Sequence, residues 1–365
     1  MNSSQLKIWV CAASLVAASA LSTQAQDPHS SNRSGISVIA STVPANGDVN
    51  PYGIVLVPRS SGLLVKGNIL ISNFNNSSNF QGTGTTIVQI APDGTTSLFA
   101  QIDANNLPGP CPGGVGLTTA LTVLRAGWVI VGSLPTTDGT SATAQAGCLL
   151  VLDNMGNVAE TFYGSLINGP WDMTAFDSGT SATLFVSNVL NGTVAGGGKV
   201  VHAGTVVRLT LDVKQKTPPF LQSLTVIGSG FAERTDPAAL VIGPTGLGLD
   251  AEAETLYVAD SLNNRITAIP VPLTRDTSAG IGAVVSQGGS LNDPLGLTVA
   301  HGNILTVNGN NGFLVETTPD GEQIRKKLLD SSGNPPGAGA LFGLIVVRGG
   351  VYYVDDATNT LNLFR

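Results

Sequence analysis

In a chain of 365 residues, 45 glycines and 20 prolines against only 11% charged residues imply many turns and half-buried sheet, and they exclude a helical bundle. A formal net charge of −7 and a pI near 4.9 argue against nucleic acid and anionic lipid as partners, since both demand a basic patch. Length alone allows either one closed all-β unit or two average domains.

The first segment combines Lys7, an apolar run from Ile8 to Leu21 and the small-residue end Thr23-Gln24-Ala25. This pattern predicts a signal peptide over residues 1–25, cleaved after Ala25. The run is short for a bilayer span, and an uncleaved anchor is the alternative. Residues 26–35 are a polar tail, and residues 36–365 are assigned to a single domain. No later run reaches about eighteen apolar residues, so a secreted or periplasmic protein, off the membrane after cleavage, is expected. Cleavage removes Cys11 and leaves Cys111 and Cys148. One disulfide is expected in an oxidising compartment, with two unpaired buried thiols as the alternative.

From Gly35 onward, apolar or alternating runs of about four to eight residues are separated by Gly, Asn, Asp, Ser and Pro clusters, the pattern of antiparallel strands joined by turns. The first run is Ile36 to Val43. A phrase of turn, strand, hairpin and strand then recurs along the chain. It reads Asn50-Pro51-Tyr52-Gly53-Ile54 with Ile69-Leu70-Ile71-Ser72-Asn73, then Gly113-Gly114-Val115-Gly116-Leu117 with Trp128-Val129-Ile130-Val131-Gly132. Gly169-Pro170-Trp171-Asp172-Met173 pairs with Leu184-Phe185-Val186-Ser187-Asn188, and Gly243-Pro244-Thr245-Gly246-Leu247 with Thr255-Leu256-Tyr257-Val258-Ala259-Asp260. The last two copies are Asp293-Pro294-Leu295-Gly296-Leu297 with Ile304-Leu305-Thr306-Val307-Asn308, and Leu341-Phe342-Gly343-Leu344 with Val351-Tyr352-Tyr353-Val354-Asp355.

A period of about forty to fifty residues is the mark of a propeller, and the recurrences predict an all-β, six-bladed β-propeller of four-stranded antiparallel blades, about twenty-four strands in all. The final blade has three strands of its own, ending at Leu361 to Arg365. The N-terminal strand is therefore expected to close it, because an open ring leaves unpaired edges; a loose N-terminus is the alternative.

The phrase Leu256-Tyr257-Val258-Ala259-Asp260-Ser261-x-Asn263-Asn264-Arg265-Ile266 resembles the NHL repeat, and the wider pattern is similar to the six-bladed propellers of the gluconolactonase-like class. The resemblance implies the fold rather than one activity, since propellers host many.

In such blades the loop entering the inner strand and the loop leaving the second strand share one face. The first set carries Asn50, Tyr52, Asn168, Trp171, Asp172, Thr245, Asn292, Asp293 and Phe342; the second carries Asn73, Asn75, Ser133, Asn188, Asp260, Asn308, Asn310, Asp355 and Asp356. The second-strand loops of the first three blades, residues 73–85, 133–147 and 188–204, read as long and polar, and those of the last three as short. A ligand cleft is expected between the long loops and the channel mouth, with solvated loops lacking a partner as the alternative.

Asp260, Ser261, Asn263, Asn264 and Arg265 are read as turn-capping residues, and Asp250 likewise. There is no Gly-x-Ser-x-Gly elbow, and the histidines are scattered: His29 in the tail, His202 in a Gly-rich insertion, His301 in a hairpin on the opposite face. That weighs against nucleophilic catalysis and a His-rich metal site. An Asn- and Asp-rich rim does suit a calcium-type ion. The gluconolactonase resemblance implies an ion held by an acidic residue at the first inner-strand loop, an Asn and a later Asp. Asn168 and Asp293 match the last two, while Asn50-Pro51 stands where the first acid belongs. Trp171 and Tyr52 either stack on a sugar or aromatic ligand or pack the inner rim. Arg325-Lys326-Lys327 is read as blunting an outer strand.

Two functions remain. The favoured one is a monomeric, non-enzymatic scaffold that requires no cofactor and binds a protein, peptide, glycan or small polar ligand. Its candidate binding residues are Asn50, Tyr52, Asn73, Asn168, Trp171, Asp172, Asn188, Asp293, Asn308 and Phe342. The alternative is a metal-assisted hydrolase or lactonase with Asn168, Asp172 and Asp293 around one calcium or other divalent ion.

Overall fold

The computed structural model of the chain describes residues 35–365. The expected signal peptide, Cys11, His29 and all of the polar tail except Gly35 lie outside the described residues. The strands of the described chain form six antiparallel sheets, and the inner strands of successive sheets touch all the way around, the sixth meeting the first. This is a six-bladed β-propeller.

Blade 1 runs outward through Val49–Leu56, Ile69–Asn75, Thr86–Ile90 and Thr96–Gln101, and blade 2 through Leu117–Val123, Val129–Ser133, Cys148–Leu152 and Val158–Phe162. Blade 4 spans Pro244–Asp250 to Ala283–Gln287, and blade 5 spans Pro294–Ala300 to Gln323–Leu328. Blade 6 is assembled from both parts of the chain: Leu341–Val347, Gly350–Asp355 and Thr360–Phe364 are completed by Ile36–Ser41, with Ile36 opposite Phe364 and Ser41 opposite Thr360. The closure expected of the N-terminal strand is present.

Every inner strand breaks register near its start, where blades 1, 4 and 5 carry a Pro-x-Gly phrase and the other three a degraded form of it. The irregularity leaves inner-strand groups unpaired, and serines at the ends of second strands fill the gap. Ser72 Oγ accepts from Gly53 N (3.0 Å) and donates to Thr118 O of the next blade (2.7 Å); Ser187 Oγ accepts from Asp172 N (3.1 Å) and donates to Thr245 O (2.8 Å). The recurring glycines have a steric cause. A Cβ on Gly296 would lie 2.0 Å from Phe342 O, and one on Gly343 would lie 2.4 Å from Tyr52 O, because the inner strands of adjacent blades converge there.

Blade 3 departs from the four-stranded expectation. It has five strands: Pro170–Asp177, Ser181–Asn188, Val201–Asp212, Phe220–Asp236 and Leu240–Ile242. Residues 188–204, expected as a loop, contain a short helix, Thr193–Gly196, and the start of the third strand, so His202 sits on a strand. The fourth strand is 17 residues long and runs past the sheet on the motif face before folding back, with Arg234 opposite Ile242 and Asp236 opposite Leu240. Cys111 and Cys148 form a disulfide within blade 2, their Cα atoms 5.1 Å apart.

Candidate functional site

Four aromatic rings close the channel on the motif face. Tyr52 and Trp171 come from inner strands, Phe342 from the inner strand of blade 6 and Phe74 from the second strand of blade 1. Tyr52 stacks on Phe342 (3.8 Å between centroids) and on Phe74 (4.4 Å), while Trp171 meets Tyr52 and Phe74 edge-on at 5.7 Å. Tyr52 is 1% exposed and Trp171 2%. These rings are packed rim first, each favourable contact adding about 0.5–1.5 kcal/mol beyond burial. Burial, followed by the charge of Asp356, pushes the Tyr52 hydroxyl well above its usual range, with Asn50 partly offsetting both.

The extra hairpin of blade 3 lies across this cluster. Leu240 and Val241 are buried in the same core as Tyr52, Phe74, Trp171, Leu295 and Phe342. Asp236 shapes the hairpin tip by accepting from Ala238 N (2.8 Å) and Ala239 N (3.1 Å), and Arg234 pairs with Asp236 at 2.7 Å. Gln81 Nε2 of the blade 1 loop reaches Ala238 O at 3.3 Å, tying the hairpin across the ring.

Beside the hairpin is a cavity of about 520 Å³. Its aromatic floor is Tyr52, Trp171 and Phe342, and its polar wall includes Asn50, Arg234, Asp236, Asp293, Asn310, Asn334 and Asp356. Asn50 and Asp293 each precede an inner-strand proline with positive φ, 63° and 56°. Short Asx side chains tolerate that conformation, which accounts for an Asn or Asp at both positions. Asn50 N donates to Asn359 Oδ1 (2.7 Å) and Asp293 N to Asn264 Oδ1 (2.6 Å). Asp293 Oδ1 is buried with no hydrogen-bond partner. Burial, with Asp236 adding and Arg234 opposing, raises the Asp293 carboxyl to about 6; burial and then Asp355 raise Asp356 to about 7.

Asp172 faces elsewhere. It lines a second cavity, about 200 Å³, inside the channel with Thr119, Thr122, Thr174, Leu247 and Thr298. Its Oδ2 accepts from Leu247 N at 2.8 Å, and burial raises the carboxyl to about 7. Asn168 belongs to a third, half-buried setting, where its Nδ2 donates to Asn191 Oδ1 (2.7 Å) and Asn191 N donates to Glu233 Oε1 (3.1 Å). Glu233 is fully buried, and its carboxyl is raised to about 8 by that burial.

Of the sequence-derived candidates, Asn50, Tyr52, Trp171, Asp293 and Phe342 therefore share one cavity. Asn73, Asn188 and Asn308 are buried at the ends of second strands, opposite Pro51, Pro170 and Pro294. Asn73 donates to Thr42 O and Thr86 Oγ1, and Asn308 to Ser290 O and Asn311 Oδ1, while neither amide atom of Asn188 has a partner. Asp260 holds the side chains of Arg265 (2.6 Å) and Asn263 and makes no side-chain bond to the backbone of the turn that follows it, so it braces the phrase by an ion pair instead of the backbone cap expected. Sequence reasoning missed Phe74, Arg234, Asp236, Asn334 and Glu233. Arg234 and Asp236 end a strand that runs on through Gly228-Ser229-Gly230, which reads locally as a turn, so the sequence places the strand's end too early and hides its reach over the mouth.

Asn168, Asp172 and Asp293 face three different surroundings, and among the described residues no group of three or more His, Cys, Asp or Glu is arranged to hold a metal ion.

No protein-family model matches the chain, and no curated protein matches it. Solved structures do share its architecture. A gluconolactonase from Xanthomonas campestris is 13% identical with a TM-score of 0.51, covering 88% of this chain and 87% of its own. Regucalcin from Agrobacterium tumefaciens, described as a calcium-binding protein, is 13% identical with a TM-score of 0.55, covering 89% and 93%. A Thermus thermophilus structure described as an oxidoreductase (glucose dehydrogenase) is 14% identical with a TM-score of 0.52, covering 90% and 98%. Three different descriptions on one architecture leave activity to the residues of the site. The likeness establishes this chain as a six-bladed β-propeller of the architecture found in gluconolactonases and regucalcin.

Proposed function

We propose that the protein is an exported binding propeller that takes a small, hydroxyl-bearing ligand, such as a sugar unit of a glycan, in the mouth cavity beside the blade 3 hairpin. One observation carries the reading: the cavity sets an aromatic floor against an amide and carboxyl wall in which Asp293 Oδ1 is buried without a partner. A buried acceptor left unpaired costs about 1–3 kcal/mol, so a ligand hydroxyl donated to it gains that amount back. Carboxyls raised to about 6 and 7 at Asp293 and Asp356 favour a neutral ligand over a cation at mildly acidic pH, because each then carries a proton to donate as well. Export rests on the apolar leader ending at Ala25, and the Cys111–Cys148 disulfide suits an oxidising compartment.

Calorimetric titration with a panel of neutral mono- and oligosaccharides tests this. We expect saturable binding weakened at least about tenfold, or 1.4 kcal/mol, by Asp293→Ala or Asn310→Ala. The absence of any binding sugar, or affinity unchanged in both variants, overturns it.

A second reading, a hydrolase of the lactonase kind, is favoured by Asp172, a carboxyl held near neutrality inside the channel, suited to proton transfer. The candidate ligands Asn168, Asp172 and Asp293 do not gather around one point, so no step is routed through an ion. Base uptake during δ-lactone hydrolysis, with calcium and then with chelator, decides between the two. Turnover abolished by Asp172→Asn establishes the hydrolase; a calcium-dependent rise in melting midpoint that Asn168→Ala removes returns the ion to the site. A flat assay leaves the binding reading.

A further inference from the structure

The face opposite the aromatic mouth holds a separate polar pocket of about 250 Å³, where loops of three blades meet. Arg59 comes from the loop between the first two strands of blade 1, Arg125 from the corresponding hairpin of blade 2, and Lys216 from the connection between the third and fourth strands of blade 3. In a chain of net charge −7, three cations converge on one small volume. None of the three forms an ion pair among the described residues.

The nearby carboxylates are held by backbone N–H groups, that of Arg125 among them, or by Lys214, and none pairs with the charged ends of the three cations. Asp177 accepts from Arg125 N (2.6 Å) and Gly179 N (2.7 Å), Asp153 accepts from Met155 N and Asn157 N (2.9 Å each), and Asp212 pairs with Lys214 (3.4 Å). The floor beneath the cations is tied down. Asn154 Nδ2 donates to Ser61 Oγ at 2.6 Å, Leu63 N donates to Asn154 O at 2.8 Å, and Trp128 Nε1 donates to Lys214 O at 2.7 Å, next to the segment that bears Lys216. The backbone that carries the charges is thus fixed while the charged groups themselves are uncommitted. Such an arrangement is repulsive when empty and is relieved by a multiply charged anion, whose oxygens suit the guanidinium fork.

We propose that this pocket binds a tetrahedral oxyanion group, the chemistry shared by a phosphate ester and a sulfate ester, with Arg59, Arg125 and Lys216 supplying the charge. The site is independent of the mouth cavity and of the reading given for it. The test is calorimetric titration of the full chain with inorganic phosphate, inorganic sulfate and acetate at low ionic strength. Saturable one-to-one binding of phosphate or sulfate, with acetate much weaker, is expected, and affinity should fall steeply with added salt.

All three cations are solvent-exposed, so Arg59→Gln with Arg125→Gln should not lower the melting midpoint while weakening the anion at least about tenfold. Arg348→Gln, in a different groove of the same face, should change nothing. Preference for phosphate or for sulfate identifies the ester, and equal affinity means that charge and shape alone are read; each of these supports the site. No saturable binding of either anion, or binding that survives the double substitution, overturns it.

Discussion

Asp172 concentrates the chemistry of this fold in one side chain. Its backbone N–H is held by Ser187, its carboxylate oxygen takes the N–H of Leu247 from the neighbouring blade, and burial keeps its proton on until about pH 7. A carboxyl raised from its ordinary 3.8 holds its proton more tightly in the folded chain than in the unfolded one. The associated stability is fully present below about pH 4 and is lost as pH rises through 7. Asp172→Asn, which keeps an acceptor for Leu247 and cannot ionise, should therefore match the wild type near pH 4 and be more stable at pH 8. The gain is on the order of 4 kcal/mol at most. Denaturant melts at the two pH values check this, and an unchanged difference between them would show that Asp172 ionises freely in the channel.

At the scale of elements, the closing strand and the blade 3 hairpin do different work. Ile36–Ser41 supplies the outer edge of the blade that contains the C-terminal strand, with contacts more than three hundred residues apart in sequence, such as Thr42 N to Asn359 O at 2.9 Å. A chain starting at Val43 leaves Thr360–Phe364 as a free edge. It should lose its cooperative melt and self-associate, because an unpaired edge templates pairing with another chain. Size-exclusion chromatography of the truncated chain reads this directly, and a monomer with an unchanged midpoint would mean that the ring closes without the strand. The hairpin seals the aromatic rim and shapes the cavity beside it.

For the whole molecule, the rings of sheet are joined by side chains that cross blades, and one covalent link reinforces blade 2. The Cys111–Cys148 disulfide closes a sequence separation of 37 residues, for which the chain-entropy account gives about 4 kcal/mol. Cys111→Ala with Cys148→Ala should lower the melting midpoint by roughly 5–10 °C without changing the far-UV spectrum. A midpoint that does not move would place the bond outside the cooperative unit.

The sequence by itself determined the architecture. Turn glycines, Pro-x-Gly phrases and short alternating runs are local signals, and their repetition specifies six blades and an N-terminal strand that must close the last one. The local, structural setting of Asp260 was partly legible, since its partners Asn263 and Arg265 lie within five residues, but the bonds run to their side chains and not to the turn backbone that was expected. Tertiary structure alone decided where the polar face is open. It packed Tyr52 and Trp171 into a rim, sent Asp172 into the channel, and separated it from Asn168 and Asp293, although one face had been expected to hold all three. It also carried Arg234 over the mouth and drew Arg59, Arg125 and Lys216 into one pocket. The physical reason is common to these cases: strand periodicity fixes which face of a sheet a residue occupies, but which residues of different blades meet depends on loop paths and ring closure, which no local run of sequence encodes.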